Sequence, residues 1–111
     1  VLKRKRNMNE NFNQIISGEK PVLVDFSAEW CGPCKMMAPV LEQLKSRMGD
    51  KIRILKIDVD DNRDLAYRYG IRSVPTLMLF REGKKLWSGV GVLTSDYLEN
   101  VINNYSSIIS N

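Results

Sequence analysis

Apolar positions along this chain switch between two periods, and glycines and prolines mark the switches. Phe12, Ile15 and Ile16 recur at helical spacing, and Gly18 follows as a stop. Pro21 then opens Val22-Leu23-Val24-Asp25-Phe26, a nearly continuous run rich in β-branched residues that predicts a strand buried on both faces. Met37, Val40, Leu41, Leu44 and Met48 return to the helical period until Gly49. Ile52 to Val59 predicts a second strand. Asp60, Asp61 and Asn62 are candidate N-caps for a short helix ending near Tyr69, with Gly70 at its C′ position. A crossover of this length is almost always right-handed, so residues 22 to 59 should form one parallel strand-helix-strand unit.

The second half reads differently. Thr76 to Arg81 and Lys85 to Val90 flank Glu82-Gly83-Lys84, a connection short enough for an antiparallel hairpin. Leu98, Val101, Ile102, Tyr105, Ile108 and Ile109 form a last helical stripe that should cover one face of the sheet. The prediction is an α/β fold, a central mixed sheet of four to five strands with helices on both faces, in a single domain spanning residues 1–111. The fifth strand depends on residues 1–6, which read as a charged edge strand that frays or as a tail. Val1 in place of Met predicts a trimmed or processed start, so a removed leader would leave no trace.

Composition narrows the classes. A chain of 111 residues fits one core, and 43% hydrophobic with 27% charged residues is ordinary globular usage, which excludes wholesale disorder, collagen-like repetition and a fibrous coiled coil. No apolar run approaches the roughly 20 residues of a membrane-spanning helix, so no membrane partner is expected. The net charge of +4 comes from 17 basic against 13 acidic residues, and Lys3, Arg4, Lys5 and Arg6 alone account for the difference. A nucleic-acid surface needs basic residues clustered on the folded body, so no nucleic-acid partner is expected.

Two cysteines, Cys31 and Cys34, and no histidine limit the chemistry further. A structural zinc site needs four ligands, which this chain lacks unless the ion is shared in a dimer or carboxylates join. Cys-His and Ser-His catalysis have no base. Met36 and Met37 are soft sulfur donors, yet Met37 belongs to the core stripe, and no metal site is expected. A disulfide enclosing two residues restrains almost nothing in the unfolded chain. Its chemistry must be the point.

Trp30-Cys31-Gly32-Pro33-Cys34-Lys35 sits where the buried strand ends and the long helix begins. Residues three apart on a helix have Cβ atoms roughly 5 to 6 Å apart, so modest adjustment lets the thiols close and open without refolding. Pro33 in the first turn gives up an amide that has no helical partner anyway, and Gly32 allows a partner's backbone to approach. The remaining amides and the helix dipole favour a thiolate at Cys31, the attacking species in disulfide exchange. Asp25 alternates with Leu23 and Ser27 on the strand that leads into this helix, which places it beneath Cys34. Burial should raise its pKa and poise it to take a proton from Cys34, although a satisfied buried carboxylate is the plainer reading. Trp87 after the hairpin reads as cross-strand packing, and Pro39 as structural.

Val-Asp-Phe-Ser-Ala-Glu-Trp-Cys-Gly-Pro-Cys-Lys-Met-Met-Ala-Pro at residues 24–39, Lys56-Ile57-Asp58-Val59-Asp60, Tyr69-Gly70-Ile71-Arg72-Ser73-Val74-Pro75-Thr76-Leu77 and Gly89-Val90-Gly91 resemble the thioredoxin family, in the family's order, over roughly residues 8–109. The resemblance implies the thioredoxin fold and a protein disulfide reductase in which Cys31 attacks and Cys34 resolves. It gives Asp25 the proton-transfer role and makes Lys56 the match of a buried lysine partner, against the plainer reading of a snorkelling surface lysine. It implies a cis Val74-Pro75 bond facing the cysteines, with Val74 backbone groups open to an extended substrate. Trp30, Gly32, Pro33, Val74, Pro75 and Gly91 would frame a shallow docking surface.

The implied partners are an NADPH-dependent flavoprotein thioredoxin reductase and disulfide-containing proteins. The chain is expected to be a monomer without a bound cofactor, in reduced cytosol. The alternatives are a periplasmic or secreted protein for disulfide oxidation, isomerisation or cytochrome maturation, and a non-catalytic binding subunit. The Gly32-Pro33 pair argues against an oxidase. Ser27 stands where the family usually has an aromatic, so looser packing is expected beside the site, and the basic tail is also unusual.

Overall fold

The structure, a computed structural model, describes the backbone of residues 9–110 and the side chains of residues 11–106. The edge strand expected at residues 1–6 and the side chains of Ile108 and Ile109 lie outside the described residues. The elements run α1 (Asn9–Ile16), β1 (Val22–Ser27), α2 (Gly32–Met48), β2 (Arg53–Asp58), α3 (Arg63–Arg68), β3 (Thr76–Arg81), β4 (Lys84–Val90) and α4 (Ser95–Ser110). Among the described residues the sheet has four strands in the order β2-β1-β3-β4. β1 pairs parallel with β2 and antiparallel with β3, and β3 and β4 form the hairpin.

All six residues of β1 are buried because helices cover both sheet faces. Leu23, Leu77 and Leu79 pack with Met37, Leu41 and Leu44 of α2 and with Leu98 and Ile102 of α4. On the other face Val22, Val24 and Phe26 pack with Phe12 and Ile16 of α1 and Leu65 of α3. Phe12 meets Phe80 edge-on at 5.4 Å, and Tyr69 packs against both rings. The strand period of two therefore sends Asp25 and Ser27, like Leu23, toward α2. Ser95 Oγ donates to Gln43 Oε1 at 2.7 Å and Arg47 pairs with Asp96, which ties α4 to α2.

Several boundaries differ from the sequence reading for local reasons. The hairpin connection is two residues, since Lys84 already pairs with Arg81. Glu82 and Gly83 both have positive φ, 52° and 82°, the pattern of a type I′ turn. The turn is clasped from below: Glu82 N–H donates to Gly18 O at 2.9 Å, and Gly83 N–H donates to Ile16 O at 2.8 Å. Of the three candidate N-caps of α3, Asn62 is the one in place. Asn62 holds the capping position without a capping side-chain bond and donates instead to Asp58 O at 3.0 Å. Asp58 Oδ1 accepts the Asp60 and Asp61 amides, so it organises this turn. Gly70 does take the C′ position, at φ 65°, with Gly70 N–H bonded to Tyr67 O and Ile71 N–H to Ala66 O, a Schellman closure.

A bulge in β4 sets Leu79 opposite Trp87 and Phe80 opposite Lys85, so that Leu86 is the extra residue and both Leu86 and Trp87 reach the α4 side of the core. The Trp87 indole lies over Gly89. A Cβ there would stand 2.6 Å from Trp87 Cζ2 and 2.7 Å from Cη2. Gly89→Ala is therefore expected to displace the indole and destabilise the protein by about 1–3 kcal/mol. Urea denaturation followed by tryptophan fluorescence checks this, and an unchanged midpoint would refute it.

Candidate active site

Cys31 is the N-cap of α2, and its Sγ accepts the Cys34 N–H at 3.1 Å. Backbone geometry explains the placement. Cys31 is extended at φ −93° and ψ 113°, and its own N–H donates to Ala28 O at 3.2 Å, which turns the chain out of β1. Pro33 falls in the first turn, and that turn carries no acidic residue. The two cysteines are joined as a disulfide with Cα atoms 5.3 Å apart. Both are buried, in a small cluster with Ala28 that Val59 and Val74 cover. The Cys34 amide and the helix dipole favour negative charge on Cys31 Sγ when this bond opens.

Val74-Pro75 is cis, as the resemblance implied. Val74 O lies 3.6 Å from Cys31 Sγ; the disulfide has no proton to share there, but in the dithiol Cys31 S–H can donate across this contact. Gly91, at φ 93°, donates its N–H to Pro75 O at 2.9 Å and brings the end of β4 to the site. Trp30, Gly32 and Pro33 are exposed, while Val74 and Gly91 are half-buried. Pro75 is itself buried, so it shapes this surface from beneath rather than presenting a face to it.

Trp30 is 72% exposed, yet its orientation is fixed because Nε1 donates to Asp60 Oδ2 at 2.9 Å. In the sequence Asp60 is a candidate cap and, with Asp58, part of a block resembling the family; neither is assigned there to the site. The signal available was the indole N–H, a side-chain donor with no acceptor of its own.

Asp25 is 1% exposed, and its Oδ1 has no hydrogen-bond partner among the described residues. Burial raises its pKa from 3.8 to about 6, against the opposing pull of the Lys56 charge. Lys56 is the opposite residue in the β1–β2 register, but it is not the buried partner that the resemblance implied. Its side chain is exposed, because β2 is an outer strand of the described sheet and the long stem reaches water. It borders a cleft of about 560 Å³ that also meets Ser27, Cys34, Lys35 and Asp58. Ser27, where an aromatic was the usual expectation, lines this opening rather than filling it. No group of three or more His, Cys, Asp or Glu side chains suited to a metal occurs among the described residues.

The thioredoxin family model matches residues 3–104. The chain is 47% identical over 89 residues to the thioredoxin of Bacillus subtilis, covering 80% of this chain and 86% of that one. It is 43% identical to the thioredoxin of Porphyra purpurea, covering 85% and 88%. Among solved structures, a mutant thioredoxin from Halobacterium salinarum superposes with a TM-score of 0.79 at 41% identity, covering 87% of this chain and 84% of that one. The oxidised form of mitochondrial thioredoxin 3 from Saccharomyces cerevisiae gives a TM-score of 0.78 at 35% identity, covering 88% and 90%. With Cys31 and Cys34 closed at the head of α2 as a reducible pair, the chain belongs to the thioredoxin family and is a thiol-disulfide reductase.

Proposed function

We propose that the reduced protein donates electrons to disulfide-containing proteins in reduced cytosol, without a bound cofactor, and is recycled by an NADPH-dependent flavoprotein thioredoxin reductase. Cys31 thiolate attacks one sulfur of the substrate disulfide; that bond breaks, and the departing thiolate leaves behind a mixed disulfide on Cys31. Asp25 carboxylate accepts the Cys34 proton. Cys34 thiolate then attacks Cys31 Sγ, the second substrate thiolate departs, and the protein is left with its own disulfide. Two electrons pass from the dithiol to the substrate, and each released thiolate takes up a proton from solvent or from Asp25. The substrate docks as an extended segment along Val74, with Trp30, Gly32, Pro33 and Gly91 around it.

The observation that carries this reading is the Cys34 amide 3.1 Å from Cys31 Sγ at a helix N-terminus, which supports Cys31 as the attacking sulfur. Equilibrating the pair against a thiol buffer tests its direction. A potential near about −270 mV, the value of thioredoxin itself, is expected, together with NADPH oxidation when reductase and a protein disulfide are both supplied. A value near about −120 mV, typical of strong disulfide oxidants, would overturn the reductive role.

A further inference from the structure

We propose that Met36 is a peroxide-sensitive modification site at the rim of the docking surface, and that its oxidation to the sulfoxide weakens the docking of protein disulfides. The second half rests on the docking surface proposed above.

Exposure singles this methionine out. Met37, Met48 and Met78 are 0%, 5% and 3% exposed, whereas Met36 is 60% exposed. In the oxidised protein the two cysteine sulfurs are buried and bonded to each other. Among the described residues, the Met36 thioether is therefore the divalent sulfur that a dissolved peroxide meets first. Its place on α2 gives that reaction a consequence. Met36 follows Pro33 by three residues and Gly32 by four, so the three share one flank of the helix, and both of those residues are exposed. Helical side chains lean toward the N-terminus of their helix, which lays the Met36 thioether over the turn that carries Gly32 and Pro33. An unbranched, polarizable side chain at that point is an adaptable apolar contact for partners of varied shape.

Oxidation reverses that character. The peroxide transfers one oxygen to the thioether sulfur, its O–O bond breaks, and the rest departs as the alcohol, or as water from hydrogen peroxide. Sulfur loses two electrons and the peroxide gains them. The sulfoxide oxygen holds water that a docking partner must strip away, and the modification is chemically reversible by methionine sulfoxide reductases.

The test treats the oxidised full-length chain, carrying Met8→Leu, with hydrogen peroxide and maps oxygen uptake by peptide mass analysis. Met36 is expected to be oxidised well before Met37, Met48 and Met78; uptake at those three as fast as at Met36 would overturn the site. The treated protein is then reduced with dithiothreitol and assayed on insulin and on a small aromatic disulfide. KM for insulin is expected to rise about fivefold while that for the small disulfide stays constant, the size of one poorly replaced hydrogen bond. Met36→Gln should reproduce the rise, and peroxide should no longer change the KM of Met36→Leu relative to its own untreated sample. If Trp30→Ala raises KM for insulin but Met36 oxidation does not, the role given to Met36 is wrong and the docking surface stands. If neither changes KM, the docking surface itself is wrong.

Discussion

Cys34→Ser is expected to stop turnover and to accumulate as covalent adducts with its substrates. The variant keeps Cys31 at the α2 N-cap, facing the amide of residue 34, so the first attack on a substrate disulfide is preserved. The thiol that should release the mixed disulfide is missing. In the folded protein that thiol is held in bonding range of Cys31, with Cα atoms 5.3 Å apart. Well-oriented intramolecular groups reach effective concentrations of about 10⁵ M, so millimolar external thiol cannot replace it, and turnover should fall by about a thousandfold or more. Non-reducing gels and mass spectrometry of captured proteins read the result. Cys31→Ser is expected to capture nothing. Continued turnover by the first variant would remove the resolving role from Cys34, and adducts on the second would reverse the assigned roles.

Asp25→Asn is expected to change both stability and rate, with a pH signature set by the raised pKa of this carboxyl. Folding raises the Asp25 pKa from 3.8 to about 6 because burial penalises its charged form, whose own Oδ1 has no hydrogen-bond partner among the described residues. The native state therefore binds this proton more tightly than the unfolded chain does. Below the unfolded pKa Asp25 is neutral in both states and carries no penalty. As pH rises from about 4 through 6, the folded carboxyl loses stability relative to an untitratable Asn, and the full difference is reached above that window. A shift of about two units corresponds to about 3 kcal/mol. Urea denaturation of the oxidised forms across this range should show wild type falling against Asp25→Asn; parallel curves would mean that the carboxyl is not strained. In the reduced form the same group is proposed to act as a base, and its removal should slow release of the mixed disulfide by about a hundredfold at neutral pH. Wild-type release should rise as pH passes about 6, and the variant should lack that rise.

Position along the chain explains which parts of this site were legible from sequence. The alternation Leu23, Asp25, Ser27 placed Asp25 under α2 because a strand has one period and β1 is buried throughout. The Trp30–Lys35 motif could be assigned to a helix start from Pro33 and from the stripe beginning at Met37. Geometry involving distant segments was not legible. Asp60, thirty residues from Trp30, becomes its acceptor only when β2 lies beside β1. Lys56 could be placed on the correct face, but its exposure depends on which strand is outermost, and that is a property of the sheet order. The Leu86 bulge has no glycine to announce it, since Leu86-Trp87 reads equally well as regular strand. The cis Val74-Pro75 bond came from the family resemblance, because trans is the commoner state even before proline.

The clasp under the Glu82-Gly83 turn bears on how this chain can be engineered. A short exposed hairpin tip is ordinarily the first choice for inserting an epitope or a guest peptide. Here both tip amides are committed to the backbone of residues 16 and 18, and Arg81 Nε donates to Glu19 O beside them at 2.6 Å. A guest spliced between Glu82 and Gly83 would pull the α1–β1 connection loose along with the hairpin. The same lock makes the tip a poor protease target, so limited proteolysis of the folded protein should leave the Glu82-Gly83 bond intact.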